Sequence, residues 1–316
     1  MTLDQLRTFR AAAQLKSFTR AAERLHLTQP AVSAQIVALE KEFRVKLFDR
    51  IGKTVVLTEA GQIMLTSAEG ILGHIQTMQQ AFEDLAGLGR GQIRIGASNV
   101  VGIYLLPEIL GRFKKKYPPI DLMLEINYAR HIIDQVLANR VDLGIVGEGA
   151  PLTDERLSVK RFAQDEFVII TPKQHAWAKR QTIAPAELAK QPFVITERGS
   201  ATQESGFRLL EAQGVKLNVM MELGNIEGVK KAVEAGLGIS IVSRCAILKE
   251  VEANRLKALP LSGLALQRNL SFVWRKGKHF SRATHTFIDF FLTCLNASKG
   301  ASPKPILANF TAGKEE

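Results

Sequence analysis

Two turns in the C-terminal part of the sequence carry groups that could hold a small anion. Ser98 and Asn99 supply a hydroxyl and an amide where a predicted strand, residues 93–97, gives way to a helix. A second turn follows the predicted strand 193–196 and leads into another helix; its polar side chains are Thr196, Arg198, Ser200 and Thr202. Free backbone N–H groups at a helix start bind anions, and an arginine fork fits a carboxylate or phosphate. The two turns together predict a site for a carboxylate or a phosphorylated compound.

Four more residues end predicted strands and extend this candidate site: Tyr128, Glu148, Gly224 and Asn225. In open α/β sheets, ligands bind beyond the carboxyl ends of the strands and face helix N-termini. Each hydroxyl or amide taken alone is more typical of a helix cap than of a ligand contact. The predicted anion site therefore depends on the two turns occurring together, and it involves no metal and no cofactor.

The strands and helices that would position these groups alternate from Gln92 onward. Strand candidates cover residues 93–97, 122–126, 142–146, 193–196, 217–223, 239–242 and 270–274. Helix candidates cover residues 103–116, 131–139, 203–213, 226–236 and 281–295. This alternation predicts an α/β fold with mostly parallel sheets, and the segment is long enough for two such units.

A helix near the N-terminus begins with uncharged polar groups that suit the reading of DNA bases. Thr28 is its predicted N-cap, and Pro30 lies in its first turn, where a missing N–H does no harm. A glutamine can bond adenine through two hydrogen bonds, a serine can bond base edges, and a proline can contact a thymine methyl. The pattern predicts a recognition helix that reads DNA with Gln29, Pro30, Ser33 and Gln35.

Two further helices and a hairpin would present that helix start to DNA. Apolar residues at helical spacing mark the first helix: Leu3, Leu6, Phe9 and Ala13. We expect Thr19 to cap a second helix, and a buried stripe to run along the third through Val32, Ile36, Leu39 and Phe43. Residues 47–50 and 55–58 flank a turn that predicts a wing, with Arg50 and Lys53 at its tip for phosphates. A three-helix core without a nucleic-acid role is the alternative.

A helix without proline follows, from Thr58 to about Leu88. Apolar residues repeat along it at the alternating spacing of a coiled-coil seam: Met64, Ala68, Ile71, Ile75, Met78, Phe82 and Leu85. Such a stripe predicts pairing with a second copy of the chain, and hence a DNA site with dyad symmetry. Packing of the helix on its own chain is the alternative. The glycines in residues 87–91 predict a hinge after the helix.

Composition narrows the class of protein. The 316 residues are 46% hydrophobic and 23% charged, which indicates a folded chain with two or three cores. The net charge of +11 favours an anionic partner, and residues 1–60 carry ten lysines and arginines against six acids. Since no stretch is apolar enough for a membrane helix or a signal peptide, we expect a cytoplasmic protein. Residues 297–316 lack periodicity and predict a flexible tail.

Other functional classes find little support in the sequence. The six histidines form no pair at metal-binding spacing, and neither a GxSxG motif nor a phosphate-binding loop occurs. We therefore predict no catalytic residue, no metal and no enzyme activity. A thiol-based redox sensor built on Cys245 and Cys294 is an alternative, although buried, inert thiols are the favoured interpretation. A solute-binding receptor, the other alternative, would need neither residues 1–60 nor their basic charge.

The segment LDQLRTFRAAAQLKSFTRAAERLHLTQPAVSAQIVALEKEFRVKLFDR, residues 3–50, resembles the signature of LysR-type transcriptional regulators. The match is dense over about sixty residues, and the resemblance implies a winged helix-turn-helix, a long linker helix and an effector domain like the periplasmic binding proteins, with two subdomains. Position by position, it assigns base reading to Gln29, Pro30 and Ser33. It assigns contacts with the DNA backbone to Thr28, Arg50 and Lys53.

The resemblance also implies a domain organisation. We expect a DNA-binding domain at 1–58, a linker helix and hinge at 59–90, an effector domain at 91–296 and a tail at 297–316. Within the effector domain, subdomain I would use 91–163 and 268–296, and subdomain II would use 164–267. The implied partners are a double-stranded operator with dyad symmetry, a small-molecule effector, and further copies of the chain as a dimer or a tetramer. RNA polymerase is a further candidate partner.

Two shorter segments narrow the resemblance. RGSAT, residues 198–202, and AVEAGLGISIVSRCA, residues 232–246, resemble the CbbR/CmpR-type regulators of carbon-fixation and inorganic-carbon genes. Regulators of that type sense small anionic metabolites, phosphorylated compounds or carboxylates. The resemblance therefore implies an anionic effector at the two turns and a role in carbon metabolism.

Overall fold

The chain forms two units. Unit 1 comprises Met1–Leu88 with Ala138–Arg140, and unit 2 comprises Gly89–Leu137 with Val141–Glu316. The structure, a computed structural model, describes residues 1–51, 54–85, 91–149, 152–197, 200–297 and 310–311. Along these residues, no helix combines the length and the apolar character needed to cross a membrane.

Unit 1 begins with three helices: α1 (Leu3–Leu15), α2 (Phe18–Leu25) and α3 (Gln29–Phe43). A hydroxyl caps the start of each one, from Thr2, Ser17 and Thr28 in turn. The prediction that Thr19 caps α2 is wrong, because Thr19 already lies inside the helix. The hydroxyl of Ser17, whose backbone is extended, accepts the N–H of Arg20 at 3.3 Å instead.

Small and apolar residues hold these helices together. Ala21 and Ala22 are buried at the contact between α1 and α2, which lets the two helices approach closely. The first three residues of the stripe predicted for α3 are also buried, each at most 2% exposed. Phe43 is 45% exposed, because it is the last residue of the helix, so the buried stripe stops one turn earlier than predicted.

The predicted wing is confirmed as an antiparallel hairpin of β1 (Phe48–Ile51) and β2 (Thr54–Leu57). Its base is anchored by Phe48, whose ring centroid lies 5.3 Å from those of Phe9 and Phe18. Lys53 and the side chain of Arg50, both predicted for the tip, lie outside the described parts of the structure.

The long helix α4 (Glu59–Leu85) starts against the base of the hairpin. Thr58 caps it, since its Oγ1 accepts the N–H of Gly61 at 3.0 Å. A Cβ atom at Gly61 would lie 2.1 Å from the carbonyl oxygen of Leu47, so the approach of the two backbones requires glycine at this position.

The predicted seam of α4 divides into a covered and an uncovered part. Ala68 is buried in the core of unit 1. Farther along the helix, Ile71, Met78 and Phe82 are 39%, 52% and 62% exposed. Packing of the helix within unit 1 therefore accounts for the start of the seam and leaves these three apolar side chains open. The side chain of Leu85 is outside the described residues.

Replacing Gly61 by alanine should destabilise unit 1, because its Cβ forces Leu47 and the start of α4 apart. We expect a loss of roughly 1–3 kcal/mol in the free energy of unfolding, the usual size of an overpacking effect. The matched control is Gly70→Ala in the same helix, where a Cβ would meet nothing within 4 Å. It should stabilise the helix by about 0.5–1 kcal/mol, since alanine is the better helix former. Urea unfolding of both variants measures the difference, and equal effects would contradict the role given to Gly61.

Unit 2 contains the remaining strands and helices. The strands are β3 (Gly91–Ser98), β4 (Ile120–Asn127), β5 (Leu143–Gly147), β6 (Leu157–Pro172), β7 (Pro192–Thr196), β8 (Asn218–Leu223), β9 (Ser240–Ser243), β10 (Leu256–Leu259), β11 (Gln267–Arg275) and β12 (Phe310–Thr311). The α-helices are α5 (Leu106–Lys116), α6 (Ala129–Leu137), α7 (Ala201–Glu211), α8 (Ile226–Glu234), α9 (Leu248–Glu252) and α10 (Arg282–Ala297). A π-helical turn, Val101–Leu105, precedes α5, and short 3-10 turns occupy Pro185–Lys190 and Arg244–Ile247.

Separate cores divide unit 2 into two halves. In the first half, β4, β3, β5 and β11 lie side by side in that order under α5, α6 and α10, and Phe113, Phe272 and Phe287 fill the core. In the second half, β7 pairs with β8, and β9 and β10 pair with β6. There, Phe193 and Ile169 are fully buried beneath the helices.

The strand β6 runs through both halves and was absent from the expected strands. Residues 157–166 pair with β11, and residues 167–172 pair with β9 and β10, always antiparallel. The expectation of mostly parallel sheets is therefore wrong: among the described strands, only β3–β4, β3–β5 and β7–β8 pair in parallel. Exposed, charged side chains such as Lys160 interrupt the apolar pattern of β6 in its first part, so no strand is evident there from the sequence.

The expected tail is described only in part. Phe310 and Thr311 form the short strand β12, which pairs with Asp165 and Gln164 of β6. The other residues beyond Ala297 are outside the described ranges, so the flexible tail stays a prediction, as do the domain bounds expected from the sequence.

Candidate DNA-binding surface and effector cleft

The start of α3 presents an exposed polar surface. Thr28, Gln29 and Pro30 are exposed, and Ser33 is half-buried one turn farther along. Because an α-helix turns about 100° per residue, Gln29 and Ser33 share a face of α3. The hydroxyl of Thr28 accepts a hydrogen bond from the N–H of Ala31 at 3.3 Å, so Thr28 fixes the helix start and also faces solvent.

Gln35 is separated from this group. It lies roughly 120° around the helix from Gln29, since six residues advance an α-helix well past one turn. Its side chain is half-buried, and its Oε1 atom is covered by protein. The structure thus brings Thr28, Gln29, Pro30 and Ser33 together and leaves Gln35 on another flank of the helix.

A cleft opens between the two halves of unit 2, with a volume of about 350 Å³. Volumes of this size hold small ligands. One wall comes from the ends of β3 and β4 in the first half, and the other comes from the ends of β7 and β8 and the starts of α7 and α8. Seven of the predicted effector residues line it: Asn99, Tyr128, Thr196, Ser200, Thr202, Gly224 and Asn225.

Two predicted effector residues do not line the cleft. Ser98 is 4% exposed, and its Oγ accepts the N–H of Gly147 at 3.1 Å, so it ties β3 to β5. Glu148 is 9% exposed and accepts hydrogen bonds from Ser271 and, at 3.2 Å, from Arg161. Both side chains are used inside the first half because the strand ends are packed more tightly than the sequence indicated. Arg198 lies outside the described residues.

The competing explanation, a helix cap, holds for one of the cleft residues. Asn225 caps α8, since its Oδ1 accepts the N–H of Gly228 at 2.8 Å. Ser200 stands at the corresponding position of α7, but its side chain makes no capping hydrogen bond. A helix cap therefore does not account for the hydroxyl of Ser200 at the start of α7.

Other cleft residues were not predicted from the sequence: Val100, Ile103, Ile126, Asn127, Glu197, Ile226, Val229, Ser240 and Ile241. The π-helical turn places Ile103 in the cleft, and a Cβ at Gly102 beside it would lie 2.7 Å from the side chain of Ile126. Asn127 is the last residue of β4 and directly precedes Tyr128, which was predicted. This position at a strand end is the one signal that could have found Asn127. Glu197 directly follows Thr196 in the second turn, but its carboxylate does not suit an anion site.

Two tyrosines of the first half donate hydrogen bonds to glutamates of the second half. The hydroxyl of Tyr128 donates to Glu197, and it has a longer contact of 3.4 Å with the carbonyl oxygen of Gly224. Burial, followed by the hydrogen bond and charge of Glu197, raises the pKa of Tyr128 to about 12. The hydroxyl of Tyr104, in the π-helical turn, donates to Glu227 at the start of α8.

A buried ion pair lies where the chain passes between the halves. Asp165 of β6 and Arg268 of β11 are 1% and 6% exposed, and Nη2 of Arg268 lies 2.8 Å from Oδ2 of Asp165. Ser243 donates to the other carboxylate oxygen at 2.5 Å. Burial raises the pKa of Asp165, and the charge of Arg268 opposes that effect.

Both cysteines are buried, and burial raises the pKa of each thiol. The Sγ atom of Cys245 lies 3.1 Å from the hydroxyl of Ser243, beside the ion pair. Reactive thiols are exposed and have lowered pKa values. These environments do not support the alternative of a thiol-based redox sensor.

Comparison with known proteins gives two family matches and close relatives. Residues 3–62 match the family of bacterial regulatory helix-turn-helix proteins of the lysR type, and residues 86–295 match the LysR substrate binding domain. A probable RuBisCO transcriptional regulator from Synechocystis is 37% identical over 313 residues, covering 98% of this chain and 91% of that protein. The transcriptional activator CmpR, also from Synechocystis, is 35% identical over 92% of this chain and 94% of that protein.

Solved structures show the same fold. A full-length OxyR variant from Pseudomonas aeruginosa matches 93% of this chain and 94% of that chain, with a TM-score of 0.71 and 24% identity. The regulatory domain of CcmR from Synechocystis, in complex with 2-PG, matches 65% of this chain and 97% of that domain, with a TM-score of 0.61 and 28% identity. The expected combination of a helix-turn-helix with a two-subdomain, periplasmic-binding-protein-like fold is thereby confirmed.

Proposed function

Because the chain belongs to the LysR family of transcriptional regulators, we propose that a small anionic metabolite, bound in the cleft of unit 2, changes how this protein binds its operator. The observation that carries the proposal is the cleft itself, which is lined from both halves by hydroxyls and amides. A ligand that touches both halves favours their closed arrangement, and this difference in affinity is what can shift a regulator between two states.

An anion suits the neutral donors of the cleft. Asn99 from the first half and Ser200 from the second can donate to the same ligand, and the N–H groups that start α7 add a positive dipole end. Arg198 lies in the sequence directly before that helix start, and we propose it as a further contact. The complex of CcmR with 2-PG, 2-phosphoglycolate, supports a phosphorylated carboxylate as the class of ligand.

We propose genes of carbon fixation or inorganic-carbon uptake as the targets. The support comes from relatives that span nearly the whole chain and are named as regulators of RuBisCO genes, at 36–37% identity. On the DNA side, we propose Gln29, Pro30 and Ser33 as base contacts, and Thr28, Arg50 and Lys53 as contacts with the DNA backbone.

A paired α4 completes this proposal. The exposed side chains of Ile71, Met78 and Phe82 keep the register of a coiled-coil seam, so a second copy of the helix would cover them. Pairing presents two copies of α3 to an operator with dyad symmetry. A tetramer would need a second type of contact between the chains.

The effector proposal is tested on the full-length protein by calorimetry with 2-phosphoglycolate, other phosphorylated acids and simple carboxylates, with operator binding measured in parallel. Asn99→Ala should weaken binding of a responsive anion by about tenfold, because a hydrogen bond to a charged group contributes about 1.5 kcal/mol. The neighbouring Ser98→Ala is the matched control: it should lower thermal stability and leave the affinity unchanged, since Ser98 bonds Gly147 away from the cleft. A panel in which no anion binds, or equal affinities for wild type and Asn99→Ala, would contradict the proposal.

The two sets of DNA contacts should respond differently to substitution. Gln29→Ala should weaken specific binding by roughly 1–3 kcal/mol and leave non-specific binding nearly intact. Lys53→Ala should weaken both and reduce the salt slope of the binding constant by about one. Gln35→Ala is the control within α3, because Gln35 is on another flank of the helix. Fluorescence anisotropy on operator and scrambled duplexes at several salt concentrations measures all three, and an equal loss on both duplexes for Gln29→Ala would remove it from the base-reading set.

The seam of α4 should determine the oligomeric state. Replacing Ile71 and Met78 together by Asp would place unpaired charges in the paired helices, at a cost of several kcal/mol. Sedimentation velocity should then show smaller species, and operator binding should collapse. Ile63→Asp is the control, because Ile63 is 65% exposed on the same helix and lies outside the seam register. An unchanged sedimentation coefficient for the double variant would place the contact elsewhere.

A further inference from the structure

The two tyrosine–glutamate hydrogen bonds across the cleft have different surroundings. Glu227, which accepts from Tyr104, also lies 2.7 Å from Nζ of Lys230, a lysine that is 3% exposed. Nζ of Lys230 is held by Glu250 at 3.0 Å and by the carbonyl oxygen of Ala246 at 3.0 Å. Burial raises the pKa of Glu227, but the hydrogen bonds from Lys230 and Tyr104 outweigh it and lower the pKa. Glu227 is thus an ionised carboxylate that is paired with a buried lysine and lies outside the cleft lining.

Glu197 is in the opposite situation. Its side chain lines the cleft, and the contact described for its carboxylate is the neutral hydroxyl of Tyr128. Its backbone is held in place, because its N–H donates to the carbonyl oxygen of Leu223 at 3.0 Å. The position proposed for an anionic ligand therefore contains a fixed carboxylate and a tyrosine. The single hydroxyl proton of that tyrosine is already donated to the carboxylate.

We propose that Glu197 is a built-in competitor of the effector: an anion enters the cleft by replacing the Glu197 carboxylate as the acceptor of the Tyr128 hydroxyl. This inference rests on the proposed function and concerns the regulation of the same site. Tyr128 is a binding residue that the internal and the external anion share. The bond between Tyr104 and Glu227 persists through the exchange, because Glu227 is also held by Lys230 and lies outside the cleft lining.

The exchange explains how a cleft rich in donors avoids weak, common anions. An incoming anion has to compete with Glu197 for the hydroxyl of Tyr128, and it is also repelled by the negative charge of Glu197. A ligand that offers only one neutral or weak acceptor therefore gains no binding energy from the exchange. A ligand with a doubly charged phosphate and a carboxylate has donors on both walls to offset that repulsion. Glu197 therefore lowers the affinity for every anion, so that at a given concentration only ligands with enough contacts on both walls remain bound.

The test compares wild type, Glu197→Gln, Tyr128→Phe and Glu211→Gln, all as the full chain, by calorimetry with 2-phosphoglycolate and with inorganic phosphate. Glu197→Gln keeps an acceptor for Tyr128 and removes the charge, so both anions should bind more tightly, by roughly tenfold for one like-charge contact in a partly screened site. Tyr128→Phe removes the bond to the ligand together with the bond to Glu197 that the ligand must displace, so the two losses offset and the affinity should fall by clearly less than the tenfold expected for an uncontested hydrogen bond. Glu211→Gln removes one negative charge at the exposed far end of α7 and should change neither constant by more than about twofold, because exposed charges are screened by salt.

The opposite result has a definite meaning. If the Tyr128–Glu197 bond only holds the cleft in its binding shape, Glu197→Gln will weaken anion binding or leave it unchanged, and the inference is overturned while the proposed function stands. Gains of equal size in Glu197→Gln and Glu211→Gln would also overturn it, because they would reflect net charge alone. Failure of both anions to bind any of the four proteins would overturn the proposed function and this inference with it. Thermal unfolding without ligand checks that the variants remain folded.

Discussion

The geometry of unit 2 depends on the buried ion pair between Asp165 and Arg268. It joins β6 to β11 at the point where β6 leaves its pairing with β11 and begins to pair with β9. Removing one partner from such a pair leaves an uncompensated buried charge, which typically costs about 3–5 kcal/mol. The space around it is also fixed, since a Cβ at Gly147 would lie 2.6 Å from the guanidinium of Arg268. The ion pair thereby fixes the register at the point where β6 passes from one half to the other.

The groups that line the cleft, and those that lie behind it, are set by that arrangement of strands. Polar groups behind it, such as Ser98 and Glu148, are occupied by hydrogen bonds within the first half. The walls differ: they carry neutral donors, apolar side chains and one carboxylate, Glu197, held by a hydrogen bond from the opposite half. In the exchange proposed for Glu197, a ligand changes the hydrogen-bond partners across the cleft and leaves these inner contacts in place. A cleft in which some contacts change and others stay suits a sensor whose two states differ in only a few contacts.

Much of this could be predicted from the sequence, and the failures have physical reasons. The recognition helix, the hairpin and the long helix were evident from the sequence because each has local signals. These signals are helix caps, apolar periodicity and a turn. The ends of β3, β4, β7 and β8 were also placed well enough to find seven cleft residues. The first part of β6 was missed because its pairing with β11, more than a hundred residues away, decides it, whereas the apolar run of residues 167–170 is a signal that could have found the second part. Ser98 and Glu148 were misplaced because a polar residue at a strand end can face the core or the ligand, and only the packing of Gly147 and Ser271 settles which.

The π-helical turn at Val101–Leu105 has an evolutionary consequence. Its hydrogen bonds span five residues, so it holds one residue more than an α-helical turn would between β3 and α5. Loss of a single codon within it would restore a regular α-helical turn without moving either flanking element, so only the side chains within the turn would take new directions. The direction of Ile103 toward the cleft and that of Tyr104 toward Glu227 would then change. Insertions and deletions of one residue here give a lineage a short route to new ligand preferences on an unchanged scaffold.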